Sequence, residues 1–184
     1  YKLLNYTCPA ANLNGGEDFC GGMVQSDVRI DGNASNGDIS IVLRSDGTPQ
    51  PDGYWVILSV DPAPAGNLML QKNTAGNPAW PAAGAVTLTP NGPLFGTWYT
   101  VKVLEQPLGT FRIKYWQRGQ PEPTGWMVTY TDPSPFPCGT AGDGIAWRPG
   151  ISGHNDLMSY DNFKVFSAAS VTGAQIWDTI PAGV

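Results

Sequence analysis

Charge is the scarcest commodity in this chain. Only 14% of its 184 residues are Asp, Glu, Lys or Arg, there is one histidine, and the formal net charge is −5. A chain so poor in cations lacks the basic face that a phosphate backbone requires, so nucleic acid is excluded as an expected partner. Long apolar runs are missing too. The longest, residues 54–60, is strand-sized and interrupted by Ser59, against the roughly 20 residues a membrane helix needs, so no bilayer span is expected. His154 has no Cys or His companion at metal-ligand spacing, and neither a Gly-x-Ser-x-Gly elbow nor a Gly-rich phosphate loop occurs. No basic-then-apolar leader precedes Tyr1, which reads either as a processed terminus or as the edge of a piece cut from a longer chain.

Cysteine is sparse as well. Cys8, Cys20 and Cys138 allow one disulfide in three ways and leave one thiol over. Low lysine content, abundant Gly, Asn and Thr, and Asn-x-Ser/Thr sequons at Asn5 and Asn33 favour a secreted, extracellular, glycosylated protein. A Cys8–Cys20 bridge would staple the Gly-rich N-terminal loop, stabilising by ~3 kcal/mol through the unfolded chain. Cys138, in a Pro-rich segment, is an equally good partner for either.

What is plentiful is Gly (23) and Pro (17), which disfavour helix almost throughout. With 41% hydrophobic residues, the chain is long enough to bury a sizeable core, and one domain over 1–184 is expected. Period-two alternation marks strands at 23–31, 38–44, 97–105, 110–117, 126–131 and 159–166, and short runs bounded by turns mark others at 54–61, 68–72, 86–89 and 144–148, with weak signals near the N-terminus and at 174–177. About ten short strands separated by turns predict an all-β domain, a β-sandwich or jelly roll. In 38–44, strict alternation points Ile39, Ile41 and Leu43 to the core and Ser40, Val42 and Arg44 away from it. In 110–117 it places Trp116 outward, and in 159–166 it makes Phe163 and Val165 core contacts.

The ordered set Val28-Arg29-Ile30, residues 38–44, Gly53-Tyr54-Trp55, residues 68–72, Gly96-Thr97-Trp98-Tyr99, residues 111–116, Gly144-Ile145-Ala146-Trp147 and Tyr160-Asp161-Asn162-Phe163 resembles the concanavalin A-like lectin/glucanase superfamily, and within it the laminin-G-like domains. The resemblance covers about residues 20–166 and leaves an N-terminal loop segment and a C-terminal tail outside the core. It implies a jelly roll of two curved antiparallel sheets whose concave sheet and rim loops bind glycans, with a structural calcium ion near the chain ends. Asp161 matches the acid of the relatives' last strand, and Asp18 or Glu17, with carbonyls of residues 14–16, would complete a set of six to eight oxygens. The glucanase branch works with Glu-x-Asp-x-x-Glu on one strand, and here the only glutamates, Glu17, Glu105 and Glu122, make no such motif. The expectation is therefore a non-catalytic module. An acid/base pair drawn across strands from Asp27, Asp31 or Asp61 is the one enzymatic route the inventory leaves.

A glycan site combines an aromatic platform with a few planar polar groups. Arg44, Trp116, Trp147, Arg148, His154 and Asn155 are the candidates, with Arg44 and Trp147 expected together on the concave sheet. The competing expectation is a structural or accessory subunit that docks on a protein partner or on itself, through the apolar loops 78–85 and 133–137 and the tail 171–184.

Overall fold

The computed structural model describes residues 2–5, 19–32, 37–46, 52–60, 67–74, 77–79, 85–87, 95–137, 147–154, 157–167 and 176–177. Every regular element among them is a strand. In chain order these are β1 (Lys2–Asn5), β2 (Gly22–Ile30), β3 (Asp38–Ser45), β4 (Gly53–Ser59), β5 (Asn67–Thr74), β6 (Asn77–Ala79), β7 (Ala85–Thr87), β8 (Tyr99–Glu105), β9 (Thr110–Gln117), β10 (Val128–Thr131), β11 (Arg148–His154), β12 (Met158–Ser167) and β13 (Ile176–Trp177). No helix of the described residues is long and apolar enough to cross a membrane.

The strands form two antiparallel sheets. The first has the order β1-β11-β3-β4-β5-β6, with β7 also paired to β5; the second has the order β10-β9-β8-β2-β12-β13. Chain order and sheet order are thoroughly interleaved, since β2 and β3 belong to opposite sheets and β12 returns to lie against β2. That crossing between layers is the jelly-roll pattern. Between the sheets sits one core, built from alternate residues of each strand: Val24, Val28 and Ile30 of β2, Ile39, Ile41 and Leu43 of β3, Val101 and Val103 of β8, and Phe111 and Ile113 of β9 are all at most 2% exposed. Burying each such side chain contributes about 1.5–3 kcal/mol. Phe163 joins this core and Val165 packs against it, as alternation in the last long strand predicts.

Two bulges break the alternation, and both matter for the site. In β3, Val42 pairs with Trp55 and Arg44 with Tyr54, so Leu43 is an extra residue. The phase of the strand flips there, and Arg44 enters the interior on the heels of Leu43. In β12, Asp161 pairs with Asp27 and Lys164 with Gln25, leaving one extra residue on β12. Asn162 takes up the irregularity with φ +52°, a left-handed conformation that Asn tolerates better than other non-glycine residues.

Sequence and structure part company at β11. The Pro149-Gly150 pair reads as a loop following a strand at 144–148, yet the strand runs from Arg148 to His154. Its register against β3 shifts between Arg148 and Gly150, next to the β3 bulge, and a proline without an N–H is accommodated at such an irregularity.

Candidate functional site

The side chains of the second sheet that point away from the core fall into cross-strand rows. One row places Arg29 (β2), Trp98 (just before β8) and Arg118 (just after β9) side by side: Val28 pairs with Tyr99, and the Arg118 N–H donates to the Trp98 carbonyl at 2.9 Å. The next row runs Asp161, Asp27, Thr100, Trp116, and the third Lys164, Gln25, Lys102, Lys114. This face therefore interleaves tryptophan, carboxylate and cation.

Polar contacts lock the first two rows together. Asp27, 5% exposed, accepts from the Thr100 hydroxyl at 2.6 Å on Oδ1 and from Asn162 Nδ2 at 2.7 Å on Oδ2. Arg118 bridges two acids, with Nε 3.2 Å from Asp27 Oδ2 and Nη2 3.0 Å from Asp161 Oδ2. Asp27 and Asp161 stand directly opposite each other, an arrangement that like charges disfavour. The Arg118 guanidinium and the Asn162 amide, aimed by the bulge, make it tenable. Both guanidiniums also lie over Trp98, at 4.8 Å for Arg29 and 5.3 Å for Arg118. Arg29 pairs in turn with Asp31, which also accepts from the Ser159 hydroxyl.

The 118–127 loop closes over the third row. Glu122 reaches back to Lys102 at 2.7 Å and Lys114 at 2.6 Å, and Lys114 Nζ donates to the Pro123 carbonyl at 2.7 Å. Hydrogen bonds from these two lysines hold the Glu122 carboxyl below the usual carboxylate range. Lys114 lies 4.8 Å over the half-buried Trp126 ring and Lys102 5.7 Å from the half-buried Trp116 ring. Asp161, Glu122 and Arg118 remain 41–44% exposed, so the face is anchored but wet.

The predicted site residues divide sharply against this geometry. Trp116 faces outward as expected. Arg44 does not: its side chain is 0% exposed and ion-paired at 2.9 Å with Glu105, also 0% exposed, across the core. The β3 bulge is the reason. Trp147, 2% exposed, is interior as well, with Arg44 5.5 Å from its ring and Phe136 5.1 Å away. Arg44 and Trp147 are thus neighbours, but inside the sandwich and not on a ligand-facing sheet. Arg148 is half-buried at the start of β11, and His154 contributes backbone to the end of that strand opposite Asp38. Asn5 contributes backbone to β1 opposite Gly150. Cys20 is half-buried ahead of β2. Asn155, Asp18, Cys8, Cys138, Asn33 and the loops 80–84 and 138–146 lie outside the described residues.

Asp18, Glu17 and residues 14–16, expected to complete a calcium site with Asp161, lie outside the described residues. Asp161 Oδ2 faces the Arg118 guanidinium, Oδ1 accepts from the Asn162 N–H at 2.8 Å, and no group of three or more His, Cys, Asp or Glu among the described residues is placed to hold a metal.

The loop 133–137, a candidate docking surface, is fastened to the sandwich. Asp132, at its base, accepts from Tyr54 Oη at 2.6 Å, from Lys72 Nζ at 2.8 Å and from the Ser134 N–H at 2.9 Å. Lys72 also donates to the Ser134 carbonyl, Arg44 Nη1 donates to the Phe136 carbonyl at 2.8 Å, and Phe136 N–H donates to Tyr54 Oη at 3.2 Å. Burial pushes the Asp132 carboxyl up, but these hydrogen bonds, Lys72 first, outweigh it and leave it below its ordinary value.

Alternation alone carries the outward placement of Trp98 and Trp116. Sequence reasoning missed Arg118, Asn162 and the Asp27–Asp161 opposition because they depend on which strands are neighbours, with Asp27 and Asn162 135 residues apart in the chain.

No family model matches the chain, and no curated protein sequence does. Solved structures do share its fold. The carbohydrate-binding module CBM66 from Bacillus subtilis superposes with a TM-score of 0.54 at 14% identity, over 78% of this chain and 73% of that one. A tetrameric galectin from the ball sponge Cinachyrella sp. gives 0.54 at 15% identity over 90% and 99%. A human galectin-16 variant gives 0.51 at 12% identity over 91% and 95%. At such identities the likeness is one of fold: an all-β jelly-roll sandwich.

Proposed function

We propose that the chain is a non-catalytic, extracellular carbohydrate-binding module of one domain, and that its glycan platform is the outer face of the second sheet. The observation that carries this reading is the half-buried Trp116 ring, set beside Thr100 and a row of carboxylate acceptors and guanidinium donors on a solvent-facing sheet. Trp116 supplies the apolar surface for a sugar ring. Asp161 and Arg118 supply the planar polar groups that fix its hydroxyls, and Trp98 braces both arginines. The lectin-like fold supports the same reading, as do the sequons at Asn5 and Asn33 for a secreted chain. Glycan-array screening of the wild type and Trp116→Ala tests it: a set of glycans bound by the first and lost by the second is expected, and undiminished binding by a folded Trp116→Ala places the site elsewhere.

A second reading, a structural or accessory subunit, draws on a different surface. Leu157 is 74% exposed and Phe95 41%, and both flank the end of β2, where Asp31 N–H donates to the Leu157 carbonyl and Gly96 N–H to the Ile30 carbonyl. Concentration-dependent self-association that Leu157→Asp abolishes, with glycan binding absent, selects this reading.

A further inference from the structure

The outer face of the second sheet is electrically unlike the rest of the chain. Arg29, Lys102, Arg112, Lys114, Arg118 and Lys164 lie on it, six of the ten Lys and Arg in the whole sequence. Of the nine acids among the described residues it carries four: Asp27, Asp31, Glu122 and Asp161. Among the described residues the face is therefore +2, against −1 for the other charges (Lys2, Arg44, Lys72 and Arg148 with Asp38, Asp46, Asp52, Glu105 and Asp132). Such concentration of cations on one face of a chain whose net charge is −5 favours the approach of an anion to that face.

We infer that the ligand of this face is an anionic glycan bearing uronic acid groups. The inference rests on the glycan reading above and narrows it to a substrate class. The mixture of groups argues for it. Guanidiniums at Arg29 and Arg118 offer donors to a carboxylate, while Asp161, 44% exposed, offers an acceptor to hydroxyl protons. A uronate-bearing sugar presents carboxylate, hydroxyls and an apolar ring face together, and the face has a counterpart for each. A nucleic acid fits worse: its phosphodiester groups carry no hydroxyl donors for the exposed Asp161, which would only repel them. Arg112, on β9 opposite Leu104 and Thr129, makes no ion pair among the described residues, so it adds charge to the face without being part of its hydrogen-bonded framework.

Titration calorimetry with polygalacturonate, alginate and hyaluronate, each beside its carboxyl-esterified form, tests the inference, with a neutral galactan and single-stranded dT oligonucleotides as the other arms. At least one acidic polymer is expected to bind, to weaken on esterification, and to weaken as sodium chloride rises past about 0.1 M, where the Debye length falls to about 10 Å. Arg112→Glu, which leaves Trp116 and Arg118 in place, is expected to weaken it about fivefold per unit charge removed, the upper range for an exposed pair. Arg112→Gln serves if the glutamate variant fails to fold. Equal binding of acid and ester forms, lost in Trp116→Ala, overturns the inference while the glycan site stands. Tighter binding of the oligonucleotide overturns it in favour of nucleic acid. No binding of any acidic polymer by folded protein overturns it too, and if the galactan and the glycan array are also blank, the glycan reading falls with it.

Discussion

Replacing Arg44 by Met and Glu105 by Leu, singly and together, measures what holds one end of the sandwich. Both side chains are 0% exposed and lie 2.9 Å apart. At an effective dielectric near 20, two unit charges at that range attract by about 4 kcal/mol or somewhat more, and the cost of removing both from water is of the same order. The intact pair is therefore worth little against a well-packed apolar replacement, whereas either charge left alone is expensive, about 3–5 kcal/mol. The two singles differ in their escape routes. In Arg44→Met, Glu105 retains the Gly109 N–H at 2.9 Å and can take up a proton; burial already raises its pKa, and loss of Arg44 raises it further. Its unfolded counterpart titrates near 4.5, so folding takes up a proton and the stability of Arg44→Met falls as pH rises from there through the folded value. In Glu105→Leu, Arg44 cannot shed its charge and keeps only the Phe136 carbonyl and the faces of Tyr54 and Trp147. We expect Glu105→Leu to be the more damaging at pH 7, the double variant to lie within about 2 kcal/mol of wild type, and the coupling to exceed 2 kcal/mol. Urea unfolding followed by tryptophan fluorescence supplies the cycle. Single-variant losses that add to within about 0.5 kcal/mol would mean that the two charges do not share a buried pair, and the argument would fail.

Three further outcomes follow from other sites. Asp132, held below its ordinary value of 3.8 by burial outweighed by Lys72, Tyr54 and Ser134, contributes stability that is present above pH 3.8 and lost as pH falls through the folded value; Asp132→Asn is expected to flatten that part of an acid-unfolding curve and to cost about 1–3 kcal/mol at pH 7. Asn162, at φ +52° with its amide on Asp27, predicts that Asn162→Val loses about 2–3 kcal/mol in thermal melts, from left-handed strain plus a hydrogen bond, whereas Asn162→Gly loses only the hydrogen bond; equal losses refute a role for the backbone conformation. Gly109, at φ +75°, would bring a Cβ to 2.6 Å from Pro135 Cβ, so Gly109→Ala is expected to lower the melting midpoint by several degrees, roughly 1–2 kcal/mol, and an unchanged midpoint would show that the 133–137 loop is free to shift.

Much of the fold was legible because it depends on period two. Strands β2, β3, β8, β9 and β12 are where alternation places them, β4 and β5 where short apolar runs between turns do, to within a few residues, and Phe163 and Val165 meet the core as alternation requires. The errors concentrate where the period breaks. Leu43 is as apolar as Ile41, and nothing in its identity announces an extra residue, so the strict pattern carried Arg44 outward when the bulge turns it in. Trp147 was misread for a related reason: a tryptophan at a strand end satisfies both a core and a platform, and the deciding fact is its neighbour, a buried arginine 103 positions earlier in the sequence. The site was half legible. Trp98 and Trp116 sit on the outward phase of their own strands, but Arg118 acquires meaning only when β9, β8, β2 and β12 are known to be adjacent, which no local pattern encodes.

That adjacency also decides which sheet can present a ligand platform. In the first sheet the face away from the core is itself buried: Val42, Trp55 and Gln71 form one cross-strand row and Ser40, Ile57 and Met69 another, and of these only Met69 rises above 7% exposure. Val42, Trp55 and Ile57 make a second apolar cluster, with Met69 against it. The central strands of that sheet are covered on both faces, which is why β4 reads as a continuous apolar run and not as an alternation. The second sheet alternates because one of its faces is wet. The same pattern that identified its strands thus also identifies the solvent-facing side on which Trp116, Asp161 and Arg118 lie, and the proposed glycan platform rests on the outward half of the alternation, not on its interruption at Arg44.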